Sequence, residues 1–242
     1  MILNVKHDLS NSYYANWYKF LSRWALFTGI CILCLFLGIF IFVLPASQSS
    51  SLPQEYFELV AASHVPLLYR LTISFDILAW LTQIGLFVTF AALFVNRAFI
   101  RSSFIAVCAI SMIVGFAGAC FRLAGTIEFA SSYLIASPSK QIFLLQSYTD
   151  LLRLINILFT AGGLTGSIAL LLATSVAWSM VEFKRWSIVL IGISGVLQLL
   201  KSAGELATGF DLGPLALLAG ILLIIALFAI SKKHWRQTKI PQ

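Results

Sequence analysis

Residues 24–44 read WALFTGICILCLFLGIFIFVL, an uninterrupted apolar run without a single charge. At 1.5 Å per residue such a run crosses a ~30 Å hydrocarbon core, which takes about 20 apolar residues. Five further runs follow, at about 66–95, 102–124, 151–180, 186–203 and 214–230. The chain therefore reads as an all-α polytopic membrane protein with six transmembrane helices. Residues 24–230 form the membrane domain, residues 1–23 an N-terminal segment and residues 231–242 a basic tail. The composition of all 242 residues agrees: 60% are hydrophobic and 10% charged, with a mean hydropathy of +0.95. A soluble domain carries about 25% charged residues, so a water-facing surface is excluded. The first run is longer than the ~7–15 residues of a signal-peptide core and follows a polar leader, so it reads as a retained span.

Lys and Arg placement sets the expected orientation, because cytoplasmic loops accumulate them. Lys6, Lys19, Arg23, Arg97, Arg101, Lys184, Arg185, Lys232, Lys233, Arg236 and Lys239 fall on one side, with only Asp8 and Glu182 as acids. The opposite side holds five basic residues and seven acids. Both termini are thus expected in the cytoplasm. The net charge of +7 is a topological signal that also suits anionic lipid headgroups. It is not the clustered basic face of a nucleic-acid-binding protein.

Two outer connections are expected, at 45–65 and 125–149. The first reads as a loop with a short interfacial helix over 54–62, capped by Ser51 or Pro53. Both read as lids resting on the outer membrane surface. The basic residue near the start of the second helix, in Leu68-Tyr69-Arg70-Leu71, is echoed at the fourth, in Leu152-Arg153-Leu154. Helices 2–3 and 4–5 therefore read as a possible duplicated hairpin, a repeat type membrane proteins use.

Polar groups inside a membrane face a bundle interior or a wet cavity, and helical neighbours recur at three and four residues. Applied to each span, this spacing finds narrow polar stripes on helices 2 to 5. They are Thr72, Asp76, Ala79 and Gln83; Cys108, Ser111, Gly115, Gly118 and Arg122; Arg153, Asn156, Thr160, Gly163 and Ser167; and Ser194, Gln198, Lys201 and Glu205. Helix 6 has none, so helices 2–5 are expected to form the inner bundle. Arg70, Asp76, Arg122, Glu128, Asp150, Arg153, Lys201 and Glu205 all map to the outer third, as one electrically balanced layer. The candidate ligand-binding set is Asp76, Gln83, Arg122, Asn156, Thr160, Gln198, Lys201 and Glu205. The competing structural reading is an ion network that fixes helix register, with Lys201 and Glu205 paired four residues apart on their own helix. Gly162 with Gly166, Gly118, and Gly192 with Gly195 read as sites of close helix packing.

Other chemistries find no support. Cys31 and Cys34 have redox or metal spacing, but they sit mid-span without the electropositive, accessible setting a reactive thiolate needs. His7, His64 and His234 lie outside the spans, where they cannot serve as axial ligands of an intramembrane haem. There is no HExxH, P-loop or GxSxG. No metal, cofactor or nucleic acid is expected.

The stretch Pro66-Leu67-Leu68-Tyr69-Arg70-Leu71, the pair Phe121-Arg122 followed by Glu128, and Gly162-Gly163 resemble a family of uncharacterised six-helix bacterial membrane proteins, a domain of unknown function. The resemblance spans helices 2 to 5. It departs from the family pattern in the wider spacing of Arg122 and Glu128. It implies the six-helix fold and no chemistry. The leading functional expectation is a non-enzymatic protein that binds a small amphipathic or lipid-like ligand in an outward-facing pocket between helices 2–5, for transport or sensing. The alternatives are an intramembrane enzyme acting on a lipid or isoprenoid, with Asp76 or Glu205 as acid–base group, and a structural or assembly subunit.

Overall fold

The structure, a computed structural model, describes residues 2–48, 52–53, 56–208 and 212–237, with side chains at 14–46, 48, 52–53, 56–208 and 212–232. Ser49, Ser51, Gln54, Glu55, Asp211 and Lys239 lie outside the described residues, and so does any cap from Ser51. The chain is a succession of helices, with no strand among the described residues. Helix α1 covers Ile2–Gly38, and a π-helical stretch Ile39–Val43 joins it to α2, Leu44–Ser47. Then come α3 (Phe57–His64), α4 (Pro66–Phe94), α5 (Phe99–Ser111), α6 (Ile113–Leu134), α7 (Pro138–Ala177), α8 (Arg185–Thr208) and α9 (Gly213–Gln237).

Six segments are long and apolar enough to cross a membrane: Tyr14–Ala46, Pro66–Phe94, Phe99–Leu134, Pro138–Ala177, Arg185–Thr208 and Gly213–Lys232. The two most buried, the second at 50% and the fourth at 44%, are among the four expected to form the interior. The helix starts follow local chemistry. Pro66 and Pro138 each occupy a first helical position, where the missing N–H leaves no intrahelical bond unmade. Helix α1 runs unbroken through the boundary expected between residues 23 and 24.

Two expectations are corrected. Residues 125–149 are not a surface loop. They are helix on both sides of a short turn at 135–137, extending α6 and opening α7. Thr126 and Ala130 are four apart and buried, as are Tyr148 and Ile155 at seven, so this polar-looking stretch still has a helical apolar face. At 40 residues, α7 is about 60 Å long, well beyond a bilayer core. The described part of the 45–65 connection does not rest on the surface either: the expected short helix is present, as Phe57–His64, and it packs inward. Its helix starts at Tyr56 as N-cap, not at 54, and makes no side-chain cap bond. Glu58, Leu59, Val60, Ala61 and Ala62 are all buried.

The chain divides into two compact units. One comprises 31–81 and 113–162. Here α3 packs against α6 and α2, and the core is Val43, Leu59, Ala61, Ala62, Tyr69, Ile73, Ala130 and Tyr148. Helix contacts in this unit are very close. A Cβ on Gly162 would lie 2.8 Å from the Gly115 Cα, and one on Gly115 would collide with the Trp80 ring. The other unit comprises 1–30, 82–112 and 163–242. In it α8 and α9 pair, and Ser194 Oγ donates to the Ala219 carbonyl at 2.9 Å. Ser22 Oγ donates to the Ser231 carbonyl at 3.1 Å and ties α1 to α9. Gly163 faces Gln198 and Ser202, while Gly195 faces Leu170 and Leu171. Gly163 and Gly195 thus line the α7–α8 contact, while the spaced pair Gly162 and Gly166 meets Gly115 and Met112 instead.

Candidate functional site: a buried arginine–carboxylate cluster

Arg122 projects from the middle of α6, one turn beyond Gly118. Its guanidinium forks onto Glu58 of α3, with Nη2 donating to Oε1 at 2.6 Å and Nε to Oε2 at 2.8 Å. Nη1 donates to Asp76 Oδ2 of α4 at 2.9 Å. One cation therefore joins three helices through three charge-assisted bonds, the short and strong class. The Arg122, Glu58 and Asp76 side chains are only 13%, 11% and 8% exposed.

The surroundings hold this geometry. Tyr69 is buried beneath the cluster, and its hydroxyl donates to Glu58 Oε2 at 2.8 Å. The Arg122 guanidinium lies 5.9 Å from the Phe159 ring centroid. Phe159 in turn stacks on Trp80 at 5.9 Å with the planes 5° apart. A second polar pair, Thr126 Oγ1 and the Tyr148 hydroxyl at 3.2 Å, is buried in the same unit. Tyr148 lies against the Phe129 and Tyr56 rings. Tyr56 also meets Thr149 at 3.1 Å.

Two carboxylates face one guanidinium here. A buried charge has a large desolvation cost unless it is paired and hydrogen-bonded. The geometry answers that cost for Arg122 with three bonds to two carboxylates.

The expected site residues separate into groups. Asp76 and Arg122 meet directly. Thr160 is buried and Gln83 half-buried. Asn156 is exposed, with Arg153 beside it, because the buried face of α7 passes through Tyr148, Ile155 and Gly162 rather than through Arg153 and Asn156. Gln198, Lys201 and Glu205 belong to the other unit. There Lys201 Nζ pairs with Glu205 Oε2 at 2.8 Å on its own helix. Glu205 Oε1 also accepts the Leu212 amide at 3.2 Å, which ties the end of α8 to the residue before α9. Glu128 is exposed, and Asp150 pairs with Arg153 in an exposed bridge at 3.2 Å.

Glu58, Tyr69 and Tyr148 were missing from the candidate set. Glu58 falls in the sequence on a short helix expected to lie at the membrane interface, outside the bundle. Its signal was an acid embedded in the apolar run Phe57-Glu58-Leu59-Val60-Ala61-Ala62, where a charge has no surface to occupy. The chain matches no family model, no curated protein and no solved structure.

Proposed function

We propose that the chain is a multi-pass protein of the cell membrane with both termini in the cytoplasm. Its non-cytoplasmic end binds a small amphipathic ligand at the Glu58–Arg122–Asp76 cluster, for transport or sensing. The observation that carries this reading is the surplus carboxylate in a nearly buried cluster, which selects a ligand with a cationic headgroup. Trp80 and Phe159 supply the adjoining apolar wall. Acid–base catalysis is less well supported, since Asp76 is engaged by Arg122 and Glu205 by Lys201. A structural role is the second reading, favoured by the three bonds that occupy Nε, Nη1 and Nη2 of Arg122.

The test uses the purified chain in nanodiscs and tryptophan fluorescence. Dodecyltrimethylammonium, dodecylphosphocholine and dodecyl phosphate are each added below their micellar concentrations. The cationic amphiphile is expected to change the emission and raise the unfolding temperature, and the anionic one is not. Asp76→Asn should abolish that preference. Equal responses to all three amphiphiles, or a preference unchanged in Asp76→Asn, would overturn the ligand reading in favour of the structural one.

A further inference from the structure

A second polar feature lies in the other unit, at the turns that join α4 to α5 and α7 to α8. A cleft of about 550 Å³ is lined by Arg97, Phe99, Ile100, Arg101, Ser175 and Ser179, among others. We infer that this cleft is a binding site for a phosphate group, carried by the headgroup of an anionic phospholipid. The inference is independent of the ligand reading above.

Its chemistry is that of an anion site. Arg97 and Arg101 present guanidinium forks, which match phosphate oxygens in pairs. Arg101 is only lightly engaged among the described residues, by a long 3.4 Å contact from Nη1 to Ser175 Oγ. Arg97 gives Nη2 to Glu182 at 2.9 Å, in a bridge 42% and 27% exposed. The cleft also contains the first turn of α5. Ala98 at its N-cap supplies no side-chain oxygen to that turn, so its amides add positive potential toward the same space. The Ser175 and Ser179 hydroxyls donate to the Leu172 and Val176 carbonyls, which leaves the arginines and amides as donors to an incoming anion. Glu182 is the acid in direct contact with this group. Arg185 stays close by, stacked 5.0 Å from the Trp178 ring and donating to the Trp178 carbonyl.

The rim explains why the phosphate belongs to a lipid. Phe99 and Ile100, which line the cleft, are 68% and 71% exposed. An amphipathic setting of aromatic and aliphatic side chains beside arginines is that of a membrane interface. Acyl chains would cover the apolar rim while the headgroup phosphate sits between the two forks.

Native mass spectrometry of the full chain, released from nanodiscs of phosphatidylcholine with or without phosphatidylglycerol, tests the site. Wild type is expected to retain phosphatidylglycerol at least tenfold more than the Arg97→Gln/Arg101→Gln double variant. Arg153→Gln, which alters an arginine elsewhere, should retain it like wild type. Arg101→Lys keeps the charge without the fork and should fall between the two. Circular dichroism of each variant checks that it is folded. A parallel arm adds inorganic phosphate alone and follows the unfolding temperature. Stabilisation of wild type but not of the double variant by phosphate would support the same site with a free anion as its source. Retention by the lipid arm only would support the headgroup. A folded double variant that retains phosphatidylglycerol like wild type, or wild type that holds phosphatidylcholine equally well, would overturn the inference.

Discussion

At the scale of single residues, Arg122 dominates. Removing one partner of a buried ion cluster strands the others, and typically costs about 3–5 kcal/mol. Arg122→Met leaves Glu58 and Asp76 facing each other as like charges, with Tyr69 still donating to Glu58. That variant should lose stability by about this amount in thermal unfolding of detergent-purified protein. The triple change Arg122→Met, Glu58→Gln and Asp76→Asn removes the stranded charges and should recover at least half of the loss. Equal stability of the single and triple variants would show that these side chains are solvated rather than mutually dependent. The Arg122–Asp76 pair was legible in the sequence, because each lies on a polar stripe at helical spacing. The Glu58 contact was not, since it joins positions 64 residues apart and one of them was expected on an interfacial helix outside the bundle.

Among elements, α6 and α7 meet backbone to backbone at Gly115 and Gly162. A methyl group on Gly162 would press on the Gly115 backbone at 2.8 Å and on the Trp80 ring at 3.0 Å. Backbone cannot move aside cheaply, and overpacking of a filled core costs about 1–3 kcal/mol. Gly162→Ala should therefore destabilise the chain by that amount. Gly166→Ala, one turn on, meets only the Met112 side chain, with Cε at 3.3 Å. Methionine is flexible and can shift, so this change should cost well under about 1 kcal/mol on the same overpacking scale. Parallel melting curves of the two variants decide it, and similar losses would mean that backbone proximity is not the cause. The two glycines look alike in the sequence as a small-xxx-small pair. Only the identity of the opposing atom separates them.

On the scale of the whole molecule, the unequal split of Lys and Arg predicts the orientation. A cysteine placed at Ser49 should react with a membrane-impermeant maleimide on intact cells, in a background without the four native cysteines. One placed at Gln237 should react only after the membrane is opened. Reaction of both from the same side would overturn the assignment of both termini to the cytoplasm. The same orientation would set the basic cleft at Arg97 and Arg101 against the anionic inner leaflet.

Six spans, their approximate positions and the all-helical class were determined by the sequence alone. Solubility in hydrocarbon is a property of about 20 neighbouring residues, and a backbone without water must close its hydrogen bonds within its own helix. The length of α6 and α7 beyond the spans was only partly legible, because the apolar face of 125–149 is interleaved with polar residues. Tertiary structure decided which face of each helix is buried. On α7 it chose Ile155 over Asn156, since one position turns a side chain by about 100°. It also folded the 57–64 helix into the core and brought Glu58 to Arg122. Those choices depend on which distant surface each helix meets, and the pattern along one helix does not encode its partner.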